Sequence, residues 1–540
     1  MKTLKKISLV LVIGTTTYGF TTYKNDFFEI AKHIEIFTNL YKEINMNYVD
    51  EVSPSKLMTS AIRGMLKDLD PYTVYWDEQQ IQNARIKNSG RYTGIGATIE
   101  ANKTDVLLKN ITKGSAADKA GLRIGDKIIK IGDINVSEYA EDAGELLKGS
   151  PNSEITLQIE RNTEPKTIVL KRSTITKKAV PFYKLLNKNT GYIVLSKFAR
   201  TASGEVIEAL QELKKQGANQ LILDLRNNPG GLLSEAVNVS NIFLEKGTII
   251  TFTKSAIEDY NETYATQNKA IDTQIPLAIL INEKSASASE IVAGSLQDLD
   301  RGVIIGSRSY GKGLVQRPKQ LNYGTQAKIT ISRYFTPSGR CIQALDYKSG
   351  ESVRKTKENY REFKTRNGRS VFDAGGIKPD IEISIEKENA LLKALQKKNM
   401  IFNFSVNFRY EHENLDMNTI DVDNGVFEDF ESYISKNNFE FESETDKKVK
   451  ELITSAEKEN YLRSLEPSLK NLRKQIRKQK SDLFYEQEET IKQRITEHLL
   501  RQLGYDEAVY TYYTEKGEVI KEAMATLNNQ KKYKTLLGFE

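Results

Sequence analysis

The chain has one cysteine, three histidines and one tryptophan among 540 residues. A single cysteine cannot close an intrachain disulfide. Cys₂His₂ and Cys₄ metal sites are excluded with it. Proline (11) and glycine (33) are too sparse for a collagen-like or low-complexity chain. A net charge of +7 is modest for this length and bears on solubility, so no nucleic-acid partner is expected. With 39% hydrophobic and 28% charged residues, the composition is that of a soluble globular chain of roughly three or four domains.

The N-terminus is the one candidate for an address. Lys2, Lys5 and Lys6 precede the apolar run Ile7 to Ile13, which is weakly extended through Tyr18 and Phe20. That run is shorter than the ~20 residues of a membrane-spanning helix and fits an export signal. No A-x-A cleavage site follows, so an uncleaved anchor over residues 1–20 stays open, as does a buried N-terminal strand. Export with one cysteine places the expected location in a bacterial periplasm or envelope.

Residues 21–89 read as helical, with Ile30, Ile34, Phe37, Leu40 and Tyr41 near the 3.6-residue period. Pro54 opens a second helix and Asp70-Pro71 ends it. Trp76 reads as packing for these helices. Residues 90–172 hold short β-like runs (96–100, 106–108, 127–131, 155–159 and 167–170) and read as a strand-rich domain. Residues 173–190 read as a linker. From Gly191, buried strands (GYIVLSKF, QLILDLR, PLAILIN, VIIG) alternate with helices at 203–216, 232–244 and 287–299. That alternation predicts an α/β sheet domain over 173–389, ending near GGIKPDIEI. Residues 390–540 read as a helical extension. In it Leu462, Leu465, Leu469, Leu472 and Ile476 fit a coiled coil or, more commonly, one face of a packed helix.

Chemistry can be sought at two turns. In INEKSASASEIVAGSLQD a buried strand runs into serines that open a helix. Helix N-terminal amides favour negative charge, so a serine there can attack a carbonyl beside an oxyanion site. The plain alternative is that Ser285, Ser287 and Ser289 are helix caps. In QLILDLRNNPGGLLSE a strand ends in Asn227-Asn228-Pro229-Gly230-Gly231, which exposes amides or is a plain tight turn. His33, His412 and His498 all lie outside residues 34–411, so a Ser-His-Asp triad inside the α/β core is impossible. A lysine serves as base when burial leaves it neutral. Lys312, in Tyr310-Gly311-Lys312-Gly313, is the candidate, against a solvated loop lysine. Its G-x-x-x-x-G-K match to a P-loop lacks the Ser/Thr for magnesium, and Pro318 crowds the helix that should follow. Its S-x-x-K match from Ser309 needs a helical turn that Gly311 and Gly313 disfavour. Cys341 has no core histidine to pair with and reads as a small packed residue.

Together these segments resemble the carboxy-terminal processing peptidases, or tail-specific proteases, across residues 30–385. AIRGMLKDLDPYTVYW, DLRNNPGG, SASASEIVAGSLQD, GKGLVQ, RYFTPSGR and GGIKPD stand in the family's order. The resemblance implies a crotonase/Clp-protease-like α/β core with N-terminal helices, an inserted PDZ-like β-domain and a helical C-terminal extension. It implies Ser287 as nucleophile and Lys312, 25 residues on, as general base. Gln316 matches a glutamine that orients the lysine, and Asp298 an aspartate sometimes grouped with the dyad. The oxyanion donors are Ala288 and a glycine of the N-P-G-G turn, Gly231 in preference to Gly230. Tyr92-Thr93-Gly94-Ile95-Gly96 and GSAADKAGLRIGDKIIKIG match a PDZ domain, with Gly94, Ile95 and Gly96 as the carboxylate-binding loop. The implied function is a serine endopeptidase, needing no metal or cofactor, that cuts near the C-termini of unstructured or tailed proteins in the cell envelope. The implied partners are protein or peptide C-termini. Membrane contact by the N-terminal segment and a homo-oligomer through helical regions are open. Two alternatives are a non-catalytic PDZ scaffold on a peptidase-like fold and an acyl-CoA enzyme, which the PDZ insertion and the Ser/Lys pair disfavour.

Overall fold

The computed structural model describes residues 27–539 except 103–104, 139–142, 349–350, 357, 359, 384–388, 413, 418–419 and 421. The export-signal segment, residues 1–20, lies outside the described residues. Two compact units divide the chain.

The first unit takes residues up to Asp77, with Arg317–Thr330 and Tyr347–Ser352. It holds helix α1 (27–47), helix α2 (Pro54–Lys67) and strand β1 (Val74–Trp76). Pro54 occupies the first turn of α2, where its missing N–H costs nothing. The Asp70 carboxylate accepts from the Tyr72 and Thr73 N–H groups and shapes the turn after α2. Trp76 stands on a strand that packs on α2. It lies in β1, opposite Gln326, with the Lys328 ammonium 5.4 Å from its ring centre.

The second unit opens with α3 (Glu78–Ser89) and β2 (Arg91–Gly94). An antiparallel sheet follows: β3 (Ala97–Ala101), β4 (Val106–Ile111), β5 (Lys127–Ile131), β6 (Ile134–Asn135), β7 (Glu154–Arg161) and β8 (Glu164–Lys171). Its order is β3-β4-β5-β7-β8, with β6 beside β5. Short helices α4 (Ala116–Lys119) and α5 (Ala143–Leu146) cover it. Strand β9 (Ser173–Thr176) pairs with β2, so the chain enters and leaves this sheet through one two-stranded ribbon.

The expected linker at 173–190 is instead mostly strand. After β9 comes β10 (Phe182–Leu186), the antiparallel edge of the next sheet. That sheet continues with β11 (Thr190–Val194) and α6 (Ala202–Lys215), then β12 (Gln220–Asp224) and α7 (Leu233–Asn241). Next stand β13 (Ile249–Lys254), β14 (Thr263–Ala265), β15 (Leu277–Ile281), α8 (Ala288–Asp298) and β16 (Val303–Gly306). Strands β17 (Leu314–Gln320), β18 (Gln326–Phe335), β19 (Leu345–Lys348), β20 (Glu351–Arg354), β21 (Glu362–Lys364), β22 (Ser370–Phe372) and β23 (Ile381–Glu382) complete the set. The main sheet runs β10-β11-β12-β15-β16-β23, parallel from β11 onward. The later part of β18 pairs with β13, away from this sheet.

A parallel sheet must be covered on both faces. Ile193, Leu223, Ile279 and Ile304 point to one face, where they pack with α6, α7 and α8. Val194, Ile222, Leu280 and Ile305 point to the other. That second face is covered from the C-terminal region: α9 (Ala390–Lys397), α10 (Met400–Glu411), α11 (Asn424–Lys436), α12 (Glu444–Lys458), α13 (Leu462–Glu486), α14 (Glu488–Lys516), α15 (Glu518–Asn528) and α16 (Gln530–Leu536). Val519, Ile520, Ala523 and Leu527 of α15 share one core with the sheet strands. The extension therefore covers the second face of the main sheet. The leucine stripe of α13 is a packing face, with Leu469 at 6% exposure. Helix α10 also completes the β3–β8 core, where Phe402 and Val406 are buried among its strands.

Candidate active site

The three serines of Ser285-Ala-Ser287-Ala-Ser289 do different work. Ser285 and Ser289 are fully buried. The Ser285 hydroxyl donates to the Leu225 carbonyl and the Ser289 hydroxyl to the Asn228 carbonyl, each at 2.8 Å. They fasten the turn before α8 to the turn after β12. Ser287 alone is partly exposed. It sits at φ 56°, ψ −111°, a left-handed conformation that costs a non-glycine residue about 1–3 kcal/mol. Helix α8 begins at the next residue, so its N-terminal amides lie beside the hydroxyl.

The turn after β12 is held just as tightly. Asn228 is fully buried, and its side chain donates to the Leu195 carbonyl and accepts from the Gly230 N–H. Gly230 (φ +99°) passes so close to the Ser287 turn that a Cβ would lie 2.7 Å from the Ala286 oxygen and 2.9 Å from the Ala288 nitrogen. Only glycine fits. Gly230 has spent its N–H on Asn228, whereas the Gly231 and Ala288 N–H groups donate to no described residue.

Lys312 lies in the irregular segment between β16 and β17 and is half-buried. Ser309 to Lys312 is not helical, which removes the S-x-x-K reading, and no helix follows to support a P-loop. Gly311 (φ +88°) crosses the chain at 344, where a Cβ would lie 2.5 Å from the Ala344 Cβ. The Gly313 N–H donates to the Gln343 side chain at 2.6 Å and its carbonyl accepts from the Tyr334 N–H at 2.9 Å. Gln316 follows in β17, half-buried.

Two residues missed by the sequence reading tie these segments together. Glu290, in the first turn of α8, is 0% exposed. Its Oε2 accepts from the Ser287 N–H at 2.8 Å and the Lys312 N–H at 2.9 Å. Its Oε1 accepts from the Gly311 N–H at 2.7 Å and the Ser309 hydroxyl at 2.6 Å. Burial pushes this carboxyl up to about 7, against the opposing pull of those four donors. Tyr334 of β18 is equally buried, and its hydroxyl donates to the Ser287 carbonyl at 3.3 Å. Burial pushes its phenol well above the usual range. The S-x-x-E spacing of a capping box was the available signal for Glu290.

Asp298 does not join this group. It ends α8, eleven residues after the nucleophile, and its carboxylate is paired with Arg340 at 2.6 Å. It also accepts from the Ser338 N–H. Its helix carries it away from Ser287 by ~1.5 Å per residue, so it acts as a buried counter-charge. Cys341 is largely buried, and burial raises its thiol. Of the histidines, His498 packs edge-on against Phe402 and His412 stacks on Phe408.

At the loop Gly94-Ile95-Gly96, the Ile95 side chain enters the β3–β8 core. The Ile95 carbonyl accepts from the Ala117 N–H, and that of Gly96 from the Thr112 N–H. The Ile95 and Gly96 N–H groups donate to no described residue. The loop leads into β3, which ends its sheet.

Family models match this chain in four segments. They are the CtpB activating protease N-terminal domain (16–80), the PDZ domain (108–161), peptidase family S41 (189–349) and the C-terminal helical domain of probable PDZ-proteases (391–527). A probable CtpA-like serine protease of Staphylococcus aureus (strain MRSA252) is 34% identical over 382 residues, 70% of this chain and 74% of that protein. A homologue from the bovine strain RF122 / ET3-1 is 36% identical over 320 residues, 58% of this chain. There the match spans 64% of the relative's length. Among solved structures, a photosystem II D1 C-terminal processing protease is 27% identical, with a TM-score of 0.36, covering 64% of this chain and 92% of its own. With an S41 core, a PDZ domain and a C-terminal helical domain in one chain, the protein belongs to the carboxy-terminal processing peptidases of family S41.

Proposed function

We propose that this chain is a serine endopeptidase that cuts exported proteins near unstructured C-termini. In this reading the Lys312 amine takes the proton of the Ser287 hydroxyl, and Ser287 attacks the peptide carbonyl. The Ala288 and Gly231 N–H groups receive the oxyanion, the lysine protonates the leaving amine, and water resolves the acyl-enzyme. Gln316 would orient the lysine. The observation that carries the reading is the shared tether: the backbone N–H groups of Ser287 and Lys312 meet on one oxygen of Glu290. The two unspent amides beside Ser287 support it.

The PDZ loop adds a receptor for the product-side end. The Ile95 and Gly96 amides suit a terminal carboxylate, and a peptide added along the edge of β3 gains main-chain hydrogen bonds. We place the chain in the periplasm or envelope, with its N-terminal segment at the membrane and two copies joined through helices. Phe27, Phe28 and Ile34 of α1 are more than half exposed, as such a contact requires. The test is Ser287→Ala in the full chain, with folding checked by circular dichroism. Turnover of an unstructured tailed substrate should vanish, and persistent cleavage would exclude Ser287 as nucleophile.

A further inference from the structure

We propose that Glu290 and Tyr334 are positioning residues that assemble the Ser287–Lys312 pair, an inference that rests on the peptidase reading above. Each grips the Ser287 backbone from one side: the carboxylate holds its N–H and the phenol its carbonyl. Each also meets the lysine loop, the Glu290 carboxylate through the Gly311 and Lys312 N–H groups and Tyr334 through its own backbone N–H, which donates to the Gly313 carbonyl and stays in Tyr334→Phe. The left-handed conformation of Ser287 is thus held by the same two residues that set the height of Lys312. Neither grip touches substrate. Both act through the main chain of the reacting residues.

The clamp needs a charged carboxylate. Three backbone N–H groups and the Ser309 hydroxyl share the charge of its two oxygens. Adding one proton to Glu290 removes that charge and weakens each N–H strut between nucleophile and base. Among the described residues, the titratable ones bound or coupled to this carboxyl are Lys312, through its backbone N–H, and Tyr334, across the cleft from β18. A carboxyl whose burial lifts it to about 7 takes up that proton inside the working range of a periplasmic enzyme. The dyad then comes apart as the medium turns mildly acidic, without any change in Ser287 itself.

The experiment compares the full-length wild type with Ser287→Ala, Glu290→Gln, Tyr334→Phe and Ser309→Ala. Turnover of a tailed substrate is followed from pH 5 to 9. Amide hydrogen exchange is followed in the peptides covering Ser287 and Lys312. Glu290→Gln should lower kcat by roughly 100-fold, the effect of ~1 Å of misplacement, with KM within about twofold. Tyr334→Phe should lower kcat less, by roughly tenfold, again at constant KM. In Glu290→Gln the acid limb should lose its Glu290 component and keep the one set by protonation of Lys312. In Ser309→Ala it should move to higher pH, because a donor that holds the carboxyl down is gone. Exchange at the Ser287 and Lys312 amides should quicken together in Glu290→Gln. A kcat within threefold of wild type in both clamp variants, or an acid limb unmoved in Ser309→Ala, would overturn the proposal. If Glu290→Gln does not fold, Tyr334→Phe and Ser309→Ala decide. If the wild type neither turns over substrate nor takes a fluorophosphonate label that Ser287→Ala abolishes, the peptidase reading fails instead. The exchange data then judge the clamp alone.

Discussion

Asp298→Asn removes one charge from a pair whose side chains are 0% and 1% exposed. Arg340 stays behind. Its remaining partners are the Gln297 side chain and the Phe372 carbonyl, and its Nε already has none. Breaking such a pair from one side costs about 3–5 kcal/mol, because the guanidinium is left uncompensated in the interior. The Ser338 N–H loses the charge on its acceptor as well. Against a net stability of about 5–15 kcal/mol this is a large fraction. The unit that holds the pair has roughly 440 residues, so at about 2.1 cal/mol/K of unfolding entropy per residue it lowers Tm by roughly 3–5 °C. The double variant Asp298→Asn/Arg340→Met removes both charges and should recover most of the loss. The assay is a thermal melt beside turnover per folded molecule, at a temperature below every transition. Turnover should stay within about threefold of wild type in both variants, since neither side chain reaches the dyad. An Asp298→Asn protein that melts like the wild type but has lost turnover by more than 100-fold would refute the structural assignment. A folded but inactive double variant would do the same.

Two further outcomes follow from the packing. Ile520→Ala opens a cavity under a fully buried residue of α15 and should cost about 2–5 kcal/mol by chemical denaturation. The loss should register in the main sheet's transition, because that residue packs on Ile222 and Leu280. His498 is buried beside Arg501, Lys109 and Arg494, and burial pushes it down to about 3. A depressed histidine contributes stability that is complete above its unfolded value of ~6.5 and is lost as pH falls toward 3. Denaturation midpoints should therefore decline over that window, and His498→Gln should flatten the decline.

Much of the core was legible because its strands are short apolar runs in a set order. QLILD and LAILI are buried at every position, which only an interior parallel strand requires. The sequence reading leaves the role of the extension open, although the same fact bears on it. Strands apolar on both faces need two covering layers, and α6, α7 and α8 supply one. The spacing of Val519, Ile520, Ala523 and Leu527 marks the other. Strands β13 and β18 were missed because hydroxyl and charged residues interrupt them, as in QAKITISRYF. Glu290 was invisible for a different reason. A glutamate in a first helical turn reads as a solvated cap, and only the burial of the whole of α8 makes it a fixed internal charge. Asp298 was carried in by resemblance, and its Arg340 partner, 42 residues on, has no local signal.

The cover that α15 provides has a consequence for biogenesis. It reaches the sheet roughly 200 residues after the last main strand but one, a long separation for a core contact. A chain emerging N-terminus first exposes Val194, Ile222, Leu280 and Ile305 to its surroundings through all of that interval. The turn that carries Ser287 follows β15, one of those same strands. Synthesis order thus sets a delay: the main sheet of a protease of this build stays open on one face until α15 has emerged and docked.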